Sequence, residues 1–280
     1  MIAGSGGWSS KWAPFHDDLA TVTQACSIDR PGWGMAGVGR GLTSPDKVED
    51  YRETLALAGL QGPFVLVGHS LGGEEAVFWA DRYPDEVAGL VLVDPGMPDF
   101  AIRMSTRAPL AFAEMREALM GAANYFLDCA DRIEAMQAGG ETEGLKRCSP
   151  RAENPEVAEV LATVAMDPER FRFNANEIMF MVDESVKPES YSGDLGELPM
   201  LLLQETLRKS PPGMSEEARA QSPLVDALLE EHHDRLIGYS SRAELRPVEN
   251  ASHDILADRP DAIVGALSEI VSIARADPSE

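Results

Sequence analysis

Cysteine is scarce in this chain: Cys26, Cys129 and Cys148 are the three among 280 residues, an odd number with no C-x-x-C spacing. That excludes a disulfide-framework domain and a cysteine-rich zinc site, and it predicts buried free thiols in preference to a Cys129 to Cys148 bridge. Positive charge is also short, with 24 Lys and Arg against 47 Asp and Glu and a net charge of -23. Nucleic acid and anionic membrane surfaces need Lys and Arg to neutralise phosphate, so neither is an expected partner. No apolar run approaches the roughly 20 residues of a membrane span. The opening Met1-Ile2-Ala3-Gly4-Ser5-Gly6-Gly7 lacks the basic start and apolar core of a signal peptide, so the expected location is cytoplasmic. Internal repeats and low-complexity stretches are missing too.

What is present suits one large α/β domain or an α/β core with an insertion, since 44% hydrophobic and 25% charged residues are the composition of a globular chain. The first 94 residues alternate strand and helix as a parallel sheet with crossovers does. Met1 to Ala3 reads as the tail of a strand, Phe15 to Thr21 as a helix, and Thr23 to Ile28 as a strand entering the loop Asp29-Arg30-Pro31-Gly32-Trp33-Gly34. Ser44 is placed to cap a helix with Pro45 at its first position and a stop near Gly59. Strands are predicted over Phe64 to Val67 and Ala88 to Val93, with a helix over Gly72 to Tyr83 between them.

From Pro95 to about Glu197 the β-branched runs give way to amphipathic helical segments. Helices are predicted over Pro109 to Met120 and Ala122 to Gln137, and helix starts at Asn154-Pro155-Glu156 and Asp167-Pro168-Glu169. Eight of the twelve methionines lie here, from Met97 to Met181, a composition that fits a pliable apolar pocket as well as ordinary helix packing. The strand pattern returns at Pro199 to Leu203. A loop with Pro211-Pro212-Gly213, one or two helices ending near Gly238, a strand over Glu244 to Val248 and a helix over Asp258 to Ile273 complete the chain. The expected organisation is therefore a core of residues 1–94 and 198–280 with a helical cap, 95–197, inserted between.

Gly68-His69-Ser70-Leu71-Gly72 stands directly after an apolar strand and before a helical pattern. A G-x-S-x-G segment in that context forms a sharp turn that exposes the serine hydroxyl above the sheet, with free helix N–H groups beside it. A serine hydroxyl needs a base within hydrogen-bond reach, and the base needs an acceptor that fixes its tautomer. His253 is the best-placed base, a few residues past the last strand; His69 has to point elsewhere on the turn, and His232-His233 are expected to be solvated on a helix. Asp94, at the end of the strand after the elbow helix, is the leading acid, and Glu205 is the alternative at the end of the next strand.

Together with Tyr83-Pro84, Leu90-Val91-Leu92-Val93-Asp94-Pro95, Ser252-His253, the early loop Gly4-Ser5-Gly6-Gly7 with Trp12, and the Asp29 to Gly34 loop, the chain resembles the α/β-hydrolase superfamily over nearly its whole length. The resemblance implies a mostly parallel sheet with helices on both faces. It implies a small-molecule ester, lactone, thioester or related acyl substrate, cleaved through an acyl-serine intermediate without cofactor or metal. It also implies an oxyanion hole formed by the backbone N–H groups of Leu71 and Ser5. A carbon-carbon bond hydrolase, a haloperoxidase-like perhydrolase and a catalytically weak ligand-binding protein are the alternatives. Ser70 at the elbow disfavours dehalogenase and epoxide-hydrolase chemistry, which use a carboxylate there. Two departures stand out. Ala3-Gly4 replaces the usual His-Gly pair before the early loop, and the usual N-terminal strand hairpin is missing. The second departure predicts a sheet of about six strands in place of eight, a bare rim at Thr23 to Ile28 open to homodimer pairing, and an internal start at Met1.

Overall fold

The computed structural model describes residues 1–140, 144–148, 155–164, 166–187, 190–210 and 213–276. Its helices and strands run α1 (His16–Val22), α2 (Ser44–Leu57), β1 (Phe64–His69), α3 (Leu71–Arg82), β2 (Val87–Val93), α4 (Phe100–Arg107), α5 (Pro109–Gln137), α6 (Leu145–Cys148), α7 (Pro155–Val164) and α8 (Pro168–Met181). They continue with β3 (Met200–Glu205), α9 (Glu216–Arg219), α10 (Ser222–Ile237), β4 (Ala243–Val248), α11 (Ile255–Asp258) and α12 (Pro260–Ala276). The four strands form one parallel sheet in the order β1-β2-β3-β4.

Strand periodicity divides the apolar side chains between two faces. Val67, Val91, Val93, Leu201 and Leu203 pack with Leu19 of α1 and with Ile263, Leu267 and Ile270 of α12. Leu66, Leu90, Leu92, Met200 and Leu202 face the other way, against Val48 and Tyr51 of α2 and Val77 and Trp79 of α3. Both faces are covered, which is why these strands read as continuous hydrophobic runs.

The sheet is smaller than the expected six strands. Met1 to Ala3 and Thr23 to Ile28 contribute isolated rungs only: Ile2 bridges Gly68 on one side and Ile28 on the other, both parallel. Residues 23–27 form no ladder among the described residues; the Met1 amine donates to the Cys26 carbonyl and the Ile28 N–H to the Met1 carbonyl. The rim is thus a single rung at Ile28, and the long bare edge on which homodimer pairing was expected is not formed.

Other differences have local causes. The cap of α2 is Thr43, one residue before the expected Ser44, because Thr43 and Asp46 bond reciprocally across the first turn. The two helices expected at Pro109 to Gln137 are one, of 29 residues; Gly121 costs about 1 kcal/mol relative to Ala, and packing of Ala123 and its neighbours against Ala175 and Ile178 of α8 offsets it. The last helix is split at Arg259, whose position before Pro260 disfavours helical backbone. At α8, Asp167 caps as expected, accepting from the Glu169 N–H. Asn154 and Pro211-Pro212 lie outside the described residues.

Cys129 and Cys148 are joined in a disulfide between α5 and α6, and Cys26 is free and exposed. The expectation of three buried thiols fails because the chain returns along α5 and brings two buried cysteines to a Cα separation of 5.5 Å, well inside bridging distance. Among the described residues no helix is long and apolar enough to cross a membrane.

Candidate active site

The turn after β1 explains its own sequence. Ser70 adopts φ 52°, ψ -123°, a left-handed backbone that an ordinary residue resists. A side chain on Gly68 would lie 2.3 Å from the Gly72 carbonyl oxygen, and one on Gly72 would lie 2.4 Å from that of Ile2. The turn is tied down by the Ser70 carbonyl, which accepts from the N–H groups of Gly73 (2.8 Å) and Gly96 (2.7 Å). Leu71 opens α3, so its N–H belongs to the set without an intrahelical acceptor. Gly4 packs against the elbow so closely that a Cβ there would sit 2.9 Å from the Ser70 Cβ, which brings the Gly4-Ser5 backbone beside the serine.

His253, in the loop after β4, meets Ser70 from the opposite side: its Nε2 lies 3.1 Å from the Ser70 Oγ. Its Nδ1 donates to Asp94 Oδ2 at 2.5 Å. Asp94, at the end of β2, is also a positive-φ residue (43°) and is 4% exposed. Burial pushes its carboxyl up, but the hydrogen bond and charge of His253, the nearby His233 and the Glu205 N–H outweigh burial and hold it below the ordinary aspartate value. Burial pulls the His253 imidazole down, and the Asp94 hydrogen bond and charge, with Glu205 and Asp254, hold it above its ordinary value instead.

Glu205 does not reach the ring through its carboxylate in this set of bonds. It is its backbone N–H that donates to Asp94 Oδ1, at 3.3 Å, while its side chain faces Arg208 at 3.6 Å. Burial and the Asp94 charge push the Glu205 carboxyl up to about 7. His69 points away from Ser70, its Nε2 donating to the His253 carbonyl at 2.8 Å, and burial with the neighbouring His253 lowers its pKa to about 4.

His232 and His233 are buried rather than solvated, at 2% and 1% exposure. His232 donates to the Gly96 carbonyl at 2.9 Å, and His233 Nδ1 accepts from Gln204. They share a face of α10 with Leu228 and Leu236, a helical spacing visible in the sequence that marks an inward face.

Sequence reasoning missed a buried ion network behind the early loop. Arg30, fully buried, donates to the Ala3 carbonyl (3.2 Å), to Glu75 of α3 (2.8 Å) and to Glu177 of α8 (2.8 Å). Lys47 of α2 donates to the same Glu177 at 2.6 Å. Burial pushes the Glu177 carboxyl up, but Arg30 and Lys47 overcome it and bring it down to about 2. One guanidinium therefore links the early loop, the elbow helix and the segment between β2 and β3. The sole sequence signal was an arginine inside an otherwise glycine- and proline-rich loop.

One cavity opens at the elbow helix and another at the early loop. A small one, about 80 Å³, is lined by Leu71, Glu74, Met97, Phe100, Phe180 and Met181 among others. A larger one, about 270 Å³, reaches the early loop at Gly6. No group of His, Cys, Asp and Glu able to hold a metal occurs among the described residues.

Known proteins agree with this architecture. The chain is 31% identical over 134 residues to a human protein named (lyso)-N-acylphosphatidylethanolamine lipase, a match covering 44% of this chain and 38% of that one. An uncharacterised Bacillus subtilis protein, YqjL, is 31% identical over 100 residues, covering 35% and 40% of the two chains. The match to each of these curated relatives thus spans less than half of the relative's length. By structure, a thermophilic esterase from Thermogutta terrifontis aligns over 98% of this chain and 88% of its own at a TM-score of 0.56 and 20% identity. An epoxide hydrolase from Bacillus megaterium aligns over 97% and 93% at 0.57 and 17%; at such identities the likeness speaks for the fold alone. A sequence profile described as the alpha/beta hydrolase family matches residues 1–266, and on that near-complete match the chain belongs to the alpha/beta hydrolase family.

Proposed function

We propose that this protein is a serine hydrolase that cleaves a carboxylic ester, thioester or lactone of hydrophobic character through an acyl-serine intermediate. The observation that carries this reading is the unbroken hydrogen-bond path from Ser70 Oγ through His253 to Asp94, with spans of 3.1 and 2.5 Å. Ser70 Oγ attacks the carbonyl carbon while its proton passes to His253 Nε2. The oxyanion that forms is held by the N–H groups of Leu71 and Ser5. Collapse expels the alcohol or thiol, which takes the proton from His253. Water then attacks the acyl-serine, again giving its proton to His253, and the acid leaves.

Asp94 serves as the orienting carboxylate, since it receives the Nδ1–H and stays ionised beside the imidazolium. Glu205, with a pKa near 7 and no bond to the ring, is left as a neighbour. Residues 95–197 act as the cap over this site. Arg30 takes the place of outer support for the early loop, through its bond to the Ala3 carbonyl. The lipase and esterase names of the relatives point to the same reaction class.

Incubation with a fluorophosphonate followed by peptide mapping tests the reading. Stoichiometric labelling at Ser70, lost in Ser70→Ala, is the expected result; a folded protein that stays unlabelled would overturn it.

A further inference from the structure

The cavity of about 270 Å³ lies between the core and the helices that connect β2 to β3. Trp8 and Trp33 line it from core loops, Tyr125 and Phe126 from α5, and Phe171 from α8. Four of these five rings form a connected wall. Phe126 meets Trp33 edge-on at 5.5 Å between centroids, Tyr125 at 5.7 Å and Phe171 at 6.1 Å. The wall is fixed in place: the Trp33 indole donates to the buried Glu177 at 2.8 Å, and Cys148, which also lines the cavity, is bonded to α5 through Cys129. No methionine is among the lining residues, where Arg170 and Asn174 join the rings; the methionines that line a cavity, Met97 and Met181, line the smaller one. Gly6 is among the lining residues, two positions after the Gly4 that packs on Ser70.

We propose that this cavity receives a compact aromatic group, one ring with a short side chain, belonging to the acyl or the alcohol part of the substrate; the assignment to substrate rests on the hydrolase reading above. Ring edges and faces carry opposite partial charge, so a wall of tilted rings favours a flat aromatic guest over a saturated one of the same outline. Size agrees. An apolar cavity of about 150 Å³ accepts benzene, so one of about 270 Å³ has room for a ring and a few further atoms. It falls below the roughly 300 to 1,000 Å³ of pockets for larger ligands, which disfavours long acyl chains and diacyl lipids.

Calorimetric titration of the wild-type protein with 2-phenylethanol, 2-cyclohexylethanol and 1-decanol tests this without any turnover, since none is an ester. The phenyl compound is expected to bind about tenfold more tightly than its cyclohexyl analogue, equivalent to about 1.4 kcal/mol, and more tightly than 1-decanol. Phe126→Leu, which keeps the bulk and removes the central ring, should bring the two cyclic alcohols within about twofold. Leu161→Trp, which fills the cavity from α7, should abolish binding with the melting temperature kept. Equal binding of the two rings by wild type, tighter binding of 1-decanol, or an unchanged preference in Phe126→Leu would overturn the assignment. An aromatic preference in a protein that fluorophosphonate does not label sinks the hydrolase reading and the assignment to substrate with it, leaving only an aromatic-binding cavity; labelling of Ser70 without the preference sinks the cavity assignment and leaves the hydrolase reading standing.

Discussion

The cluster around Ser70 is held by backbone, whereas the aromatic cavity that reaches the early loop at Gly6 is held by side chains of helices and loops. Ser70 and Asp94 both sit at positive φ at the ends of adjacent strands, and glycines at 4, 68 and 72 allow three backbone segments to touch. The cavity wall depends on ring contacts among residues from two helices and one loop, braced by one disulfide and the Glu177 ion network. The strand-end groups draw their placement from backbone hydrogen bonds. A wall of side chains can change its shape by one substitution without moving the site. On the proposed reading, chemistry and selectivity fall to separate parts of one chain.

Breaking the strand-end cluster should have the largest effect. Ser70→Ala is expected to lower kcat for a short-chain aryl ester by roughly six orders of magnitude, with His253→Ala close behind, because the residues act as one unit; the melting temperature should stay near wild type. A loss of less than tenfold would remove Ser70 from the mechanism.

The next largest effect separates the two carboxylates. Asp94→Asn should reduce kcat by about ten-thousandfold through the wrong imidazole tautomer, while Glu205→Gln should stay within tenfold. The reverse ranking in steady-state kinetics would transfer the acid role to Glu205.

On the other side of the comparison, Cys148→Ser should cost about 3 kcal/mol of stability, the value for closing a loop of this length, measured by denaturant unfolding against wild type. Turnover of ethyl acetate, which does not need the cavity, should change little. A tenfold loss of that turnover would mean that the helical wall and the strand-end site are not separable.

The smallest effect concerns pH. His253 must be neutral to accept the Ser70 proton, and its pKa is held above the ordinary value, so the acid limb of kcat/KM should lie above that of a free imidazole. Glu205 contributes to that elevation through its charge. Glu205→Gln should therefore move the limb to lower pH, a shift read from the full pH profile; a limb that moves upward or stays fixed would show that Glu205 does not act on His253.

Most of the strand-end cluster is legible in the amino-acid sequence. The elbow announces itself because its glycines and its strand-to-helix context are adjacent along the chain, and Asp94 stands at a strand end by hydrophobic pattern alone. The rest is not legible, for physical reasons specific to each residue. Arg30, Glu75 and Glu177 meet from distant positions, separated by 45 and 147 residues from Arg30. His232 and His233 are polar residues that a helix surface would solvate, but packing of α10 turns their face inward. The strand expected at Thr23 to Ile28 is reduced to one rung, at Ile28.

Elements with local causes follow from the residues next to them: the elbow turn, from steric limits on Gly68, Ser70 and Gly72; the caps, from Thr43 and Asp167 within one turn; and β2, from a continuous apolar run. Three other features exist only once the chain is packed, namely which carboxylate bonds His253, which cysteines pair and which rings enclose the cavity. Each depends on the meeting of groups far apart in the chain, Asp94 and His253 being 159 residues apart, and such meetings are fixed by how sheet and helices pack, not by the residues on either side.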